Sequence, residues 1–131
     1  MLKIYENDNF IICHGPFESQ VLGYLYIEPK RHLENWDDFF DQELSEIAVF
    51  IKKADRVLKQ LLSIERMYVV TISESVRHIH VHLIPRLPGQ MNVGLGLIEQ
   101  ATQKKNIEGN NYSDDDFNHF IENARVLFNE I

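Results

Sequence analysis

Apolar and polar positions alternate with two different periods along this chain of 131 residues, and the period separates strands from helices. Short runs at 3–6 and 9–14 lead into the turn His14-Gly15-Pro16. A stronger run at 21–28, carrying Tyr24, Leu25, Tyr26 and Ile27 and stopped by Pro29, predicts a strand that returns as a hairpin. From 41 to 62 the period lengthens. Leu44, Ile47, Ala48, Ile51, Ala54, Leu58, Leu61 and Leu62 recur at helical spacing and predict one long amphipathic helix with its stripe turned to the core. Asp38 or Asp41 is expected to cap its start, and Lys52, Lys53, Arg56 and Lys59 lie in its second half, where the helix dipole favours cations. Two more strands are predicted at 65–73 and 77–85, and so short a connection makes them antiparallel neighbours. The stretch 89–96 is punctuated by glycine, and 97–102 has no readable period. Ser113 with Asp116 three residues on resembles a capping box, and Phe117, Phe120, Ile121, Ala124, Leu127, Phe128 and Ile131 predict a terminal helix. Asp114, Asp115 and Asp116 read as that helix's start rather than as a metal site.

These elements make one α+β domain over 1–131: an antiparallel sheet of about five strands, one long helix and a C-terminal helical extension at 113–131. Composition agrees, since 44% hydrophobic and 11% aromatic residues suffice for a single core. A formal net charge of -7 argues against nucleic acid as a partner, because phosphate backbones are held by clustered Lys and Arg. The single cysteine, Cys13, allows no internal disulfide and lies in an apolar run that suggests a buried structural thiol. The opening residues MLKIYENDNF lack the apolar stretch of a secretory signal, and no run approaches the ~18 apolar residues of a membrane span. A soluble cytoplasmic protein is expected.

The chemistry concentrates in the run HIHVHLIPR. His78, His80 and His82 alternate with Ile79, Val81 and Leu83, so an extended chain places three imidazoles on one face and three apolar side chains on the other. Same-face neighbours stand roughly 6.5 to 7 Å apart, near enough to surround one small anionic group or one metal ion. A strand with a merely polar outer face would give the same alternation, but three crowded imidazoles repel whenever more than one is protonated. Neutral imidazole, with an ordinary pKa of about 6.5, offers a lone pair at neutral pH, which suits nucleophilic attack on phosphorus. It is also a common ligand, so a three-histidine zinc, copper or nickel site is the rival reading, although three ligands from one strand strain tetrahedral geometry. A protein that binds nucleotides without turning them over is the third.

His78-Ile79-His80-Val81-His82-Leu83-Ile84 resembles the signature of the histidine triad (HIT) superfamily of nucleotide hydrolases and transferases. The upstream segment Gly23 to His32, ending Pro29-Lys30-Arg31-His32, is similar to that family's glycine-strand-Pro-Lys-Arg-His segment, and Ile84-Pro85-Arg86 resembles its exit from the triad. The likeness runs from about 9 to 86. It implies a HIT-like fold, commonly a homodimer, that binds a small-molecule nucleotide and cleaves at the α-phosphate of a phosphoanhydride or phosphoramidate through a covalent nucleotidyl-histidine. It further implies His80 as nucleophile, with His78 and His32 as support; nucleophilic chemistry itself asks that the second nitrogen of His80 be tied as a donor, to a backbone carbonyl, and His82, on the same face, is the candidate acid. Ser75 matches a phosphate-contacting position, and His14 falls near a position that binds ribose hydroxyls. Phe10, Ile12 and Leu25 are candidates for an apolar base slot, though the core also claims them. No metal or other cofactor is required by this scheme. Ser73-Glu74 departs from the family's usual Gly-Gln, and a carboxylate beside phosphate is expected to turn outward.

Overall fold

Strands β1 (Lys3–Glu6), β2 (Phe10–His14), β3 (Leu25–Pro29), β4 (Arg66–Thr71) and β5 (Val81–Arg86) pair antiparallel in the spatial order β1-β2-β3-β5-β4. The structure, a computed structural model, describes residues 2–72, 74–103 and 110–130. Helices α1 (Asp41–Leu62), α2 (Leu95–Gln103) and α3 (Asp114–Asn129) complete the α+β fold.

Register decides which residues share a face. Ile12 pairs with Ile27 and Ile27 with Val81, while Leu25 pairs with Leu83, so these apolar side chains form one continuous surface. With Phe10 and Ile79 they are buried beneath Ile47, Phe50, Ala54 and Leu58 of α1 and Phe120, Ala124 and Phe128 of α3. On the opposite face Cys13, Tyr26, His82 and Val70 stand in one lateral row. Part of this second face is covered by α2, whose Leu97 and Ala101 pack against Val21, Tyr24 and Ile84.

Helix α1 has the bounds that its periodicity predicts, but its stripe is rotated. Leu44 and Ala48 are exposed, whereas Phe50 and Val57 are buried. Neither Asp38 nor Asp41 caps it; the N-cap is Phe40, and Glu43 Oε1 reaches back to accept the Phe40 N–H at 2.7 Å. At α3 the capping box is formed: Ser113 Oγ accepts the Asp116 N–H at 3.1 Å, and Asp116 Oδ2 the Ser113 N–H at 2.9 Å. Ile131, assigned above to that helix's apolar face, lies outside the described residues.

Two strand expectations are corrected. The third strand begins at Leu25, not at 21, because the chain turns first: Gln20 and Gly23 have φ of 55° and 87°, and Tyr24 N donates to Val21 O at 3.2 Å. Gly23 is required there, since a Cβ would also approach Leu62 Cδ1 to 2.5 Å. The triad strand begins at Val81, so His78 and His80 precede it and only His82 lies within it. Val81 is the last residue in register with either neighbour, opposite Ile27 on β3 and Thr71, where β4 itself ends; β3 continues to Pro29 without pairing to the triad segment. The stretch 97–102, unreadable from its period, belongs to α2.

Candidate active site

The segment after β3 encloses His78. Leu33 N donates to its Nδ1 at 3.2 Å, and its Nε2 lies 2.8 Å from Pro29 O. Because Nδ1 accepts, the ring proton sits on Nε2 and is given to the Pro29 carbonyl. Ile79 N in turn donates to Leu33 O at 2.8 Å. His78 therefore acts as a clasp between the Pro-Lys-Arg-His segment and the triad, and both of its nitrogens are engaged by backbone. His32 stacks flat on it, centroids 5.2 Å apart and 9° between planes, at the exposed rim of the site. Arg31 anchors the same segment to α1 through a two-point ion pair, Nη2 at 2.8 Å from Glu43 Oε1 and Nε at 3.1 Å from Oε2. The Arg31 hydrogen bonds hold the Glu43 carboxyl below its ordinary value.

His80 is placed differently. Its ring lies edge-on to His78 at 5.4 Å and to Tyr26 at 6.0 Å, with the His82 ring 6.5 Å away. Among the described residues no backbone carbonyl accepts from it, so the anchor expected for its second nitrogen is not formed. Instead Glu28 sits between two members of the triad, Oε2 at 3.5 Å from His80 Nε2 and Oε1 at 3.4 Å from His78 Nε2. At these lengths the contacts are electrostatic rather than good hydrogen bonds.

His82 Nδ1 meets the Tyr24 hydroxyl at 2.7 Å. Burial, with His80 as the smaller cause, holds His82 at about 4, well below 6.5, so the ring is neutral near pH 7. His80 and His82 open onto a cavity of about 500 Å³ together with Ile72, Glu74, Ser75, Val76, Thr102 and Gln103. That is within the range of small-molecule sites. Glu74 is exposed, yet it stands on the cavity wall rather than clear of it. Ser75 lies on the same wall, and Ser73 is outside the described residues.

The structure thus brings together His78, His80, His82, His32 and Ser75, and separates them from four other candidates. Phe10, Ile12 and Leu25 are fully buried on the helix-covered face and line no open slot. His14 is also fully buried: Nδ1 lies 2.7 Å from Gly15 O and Nε2 accepts the Gly23 N–H at 2.9 Å, with Phe117 and Phe120 against the ring. Desolvation holds it at about 4, and no ring nitrogen remains for a ribose hydroxyl. Neither the periodicity nor the family likeness marks Glu28, Tyr24, Thr102 or Gln103 as a site residue. Alternation does place the first two on the face of Tyr26 and so of His82; nothing local gives a signal for α2.

Among the described residues no three His, Cys, Asp or Glu side chains are arranged to hold a metal ion. No described helix is long and apolar enough to cross a membrane.

An uncharacterised HIT-like protein of Methanocaldococcus jannaschii is 28% identical over 95 residues, covering 70% of this chain and 74% of that protein. An AP-4-A phosphorylase of Mycobacterium tuberculosis is 26% identical over 103 residues, 69% of this chain but 53% of its own length, so the chain spans about half of that protein. Among solved structures, a hypothetical histidine triad nucleotide-binding protein from Sulfolobus tokodaii superposes with a TM-score of 0.69 at 19% identity, over 96% of this chain and 82% of that one, a likeness of fold. The HIT domain model matches residues 2–89, which include the clasp, the triad and its exit, and the chain belongs to the HIT domain family.

Proposed function

We propose that the protein is a nucleotide hydrolase or nucleotidyl transferase that cleaves at an α-phosphate through a nucleotidyl-His80 intermediate. The observation that supports this reading is the division of labour within the triad. Backbone engages both nitrogens of His78, Tyr24 engages one of His82, and His80 reaches the cavity with neither nitrogen hydrogen-bonded to backbone among the described residues. A neutral His80 ring nitrogen attacks the α-phosphorus; the bond to the leaving group breaks, and that group departs with the electron pair and takes a proton from solvent. Water, or an acceptor in a transferase, then attacks phosphorus and breaks the P–N bond, which returns the imidazole. His82 and Ser75 supply hydrogen bonds to phosphate oxygens as charge builds.

The kinship with an AP-4-A phosphorylase supports dinucleoside polyphosphates as a first substrate class to try, with nucleoside phosphoramidates and nucleotide sugars beside them. Among the described residues the outer edge of β4 pairs with no strand, and Val69 and Ile72 at and beside it are half exposed, which supports a homodimer through that edge.

A release screen for AMP and GMP across the three classes tests the activity, alongside acid-quenched mass spectrometry. Wild type is expected to show nucleotide mass on the peptide containing His80. His80→Ala should keep its fold and lose at least 99% of turnover, a drop of about 2.7 kcal/mol or more in transition-state stabilisation. Undiminished turnover by the variant would remove His80 as nucleophile. Tight AMP binding without turnover of any class would leave a nucleotide-binding protein.

A further inference from the structure

Among the described residues the hydroxyl of Tyr24 has one hydrogen-bond partner, His82. Its ring is almost wholly buried, 3% exposed, in a nest formed by Val21, Ile84, Leu97 and Ala101. Gly15 makes room for it, since a Cβ there would come within 2.1 Å of the ring. Among the described residues the phenol oxygen makes one hydrogen bond, to His82 Nδ1 at 2.7 Å. Two arrangements of protons would satisfy that distance. If His82 Nδ1–H were the donor, the phenol's own proton would be left buried without an acceptor, at a cost of about 1–3 kcal/mol. If the phenol donates, every proton is placed: Nδ1 accepts and the ring's single proton goes to Nε2, the nitrogen that Tyr24 leaves open.

From this we infer that Tyr24 is a positioning residue that locks His82 in one tautomer, so that His82 meets the substrate's phosphate as a neutral Nε2–H hydrogen-bond donor rather than as an imidazolium acid. The inference rests on the proposed reading of the cavity as a phosphate site. It is carried by a contact that the triad motif does not contain, between partners 58 positions apart in the sequence.

Burial reinforces the lock from both sides. It pushes the Tyr24 phenol well above its ordinary 10, so the donor proton stays on oxygen, and it holds His82 neutral. The groups that face His82 are Tyr24 from the turn before β3, Tyr26 from β3, Val70 from β4, His80 from its own segment, and the cavity-wall residues Glu74, Ser75, Thr102 and Gln103. Glu74, the carboxylate among them, is exposed, and its charge is screened by solvent. A full proton transfer from His82 would require the imidazolium form, in which Nδ1–H would turn the phenol proton away. Hydrogen-bond donation requires no such rearrangement.

Nitrogen-15 NMR of histidine-labelled protein reads the tautomer directly, without substrate. Wild type at pH 7 is expected to show a pyridine-type Nδ1 and a pyrrole-type Nε2 for His82. Tyr24→Phe should give a mixed or reversed tautomer with unchanged circular dichroism, and kcat on whichever substrate the wild type turns over should fall at least tenfold. A pyrrole-type Nδ1 in the wild type would overturn the inference whether or not the variant folds, as would a Tyr24→Phe protein that kept both the single tautomer and full turnover. A locked tautomer in a protein that hydrolyses nothing would sustain the role of Tyr24 and sink the nucleotidyl-transfer reading, so the two failures are distinguishable.

Discussion

Replacing His14 by Phe tests whether this histidine belongs to the core or to the substrate. The ring spans from the end of β2 to the turn before β3, with one nitrogen on the Gly15 carbonyl and the other on the Gly23 amide, and it has no exposed surface. Phe preserves the contacts with Phe117 and Phe120 but removes both hydrogen bonds and orphans two buried backbone groups, a loss of about 2–4 kcal/mol at pH 7. The pH dependence is more telling. The folded ring titrates at about 4 rather than 6.5, so below 6.5 the unfolded chain takes up a proton that the folded chain refuses. Its contribution to stability is therefore complete above pH 6.5, declines as pH falls toward 4, and is level below that. At about 1.36 kcal/mol per pH unit, the total decline is about 3 kcal/mol. Urea unfolding of both proteins between pH 7.5 and 4.5 gives the difference in stability at each pH, in which the carboxylates and His82 cancel. That difference should shrink by about 1.4 kcal/mol per unit between pH 6 and 4.5. A difference independent of pH would refute the buried neutral ring. A raised KM with unchanged stability would restore His14 to the substrate.

Two further predictions concern the site and its support. Glu28→Gln removes a negative charge within 3.5 Å of the proposed nucleophile, and should tighten AMP binding several-fold, about 1 kcal/mol for a charge pair near a solvated surface; calorimetric titration checks it, and weaker binding would show that the carboxylate assists the substrate. Gly23→Ala imposes a left-handed backbone on a residue with a Cβ and a contact of 2.5 Å with Leu62, and should lower the unfolding free energy by about 2–4 kcal/mol in urea titration; an unchanged midpoint would contradict the tight turn.

Much of this architecture was legible because one-dimensional periods survive folding. Ile79, Val81 and Leu83 are buried as their alternation with histidine requires, even though regular pairing begins only at Val81. Helix α1 was legible in extent but not in rotation, because a period does not say which of several apolar lines, Leu44 and Ala48 or Phe50 and Val57, meets the sheet. The site was legible where it is contiguous in sequence and illegible where it is assembled from afar. His14 looked like a polar turn residue, and only the approach of α3 removes it from solvent. Tyr24 looked like strand filler, and its hydroxyl acquires meaning only beside His82. Nothing in the glycine-spaced stretch before α2 announces that the following helix folds over the histidine face.

That helix separates two properties that share one hollow. The histidines proposed to react are held by chain up to Arg86, while Thr102 and Gln103 on the cavity wall belong to a helix that grips the sheet through Leu97 and Ala101. Because the grip is apolar and the wall residues stand in the helix's last turn, away from that grip in sequence, the breadth of molecules admitted can drift from one descendant to another while the proposed attacking machinery stays fixed.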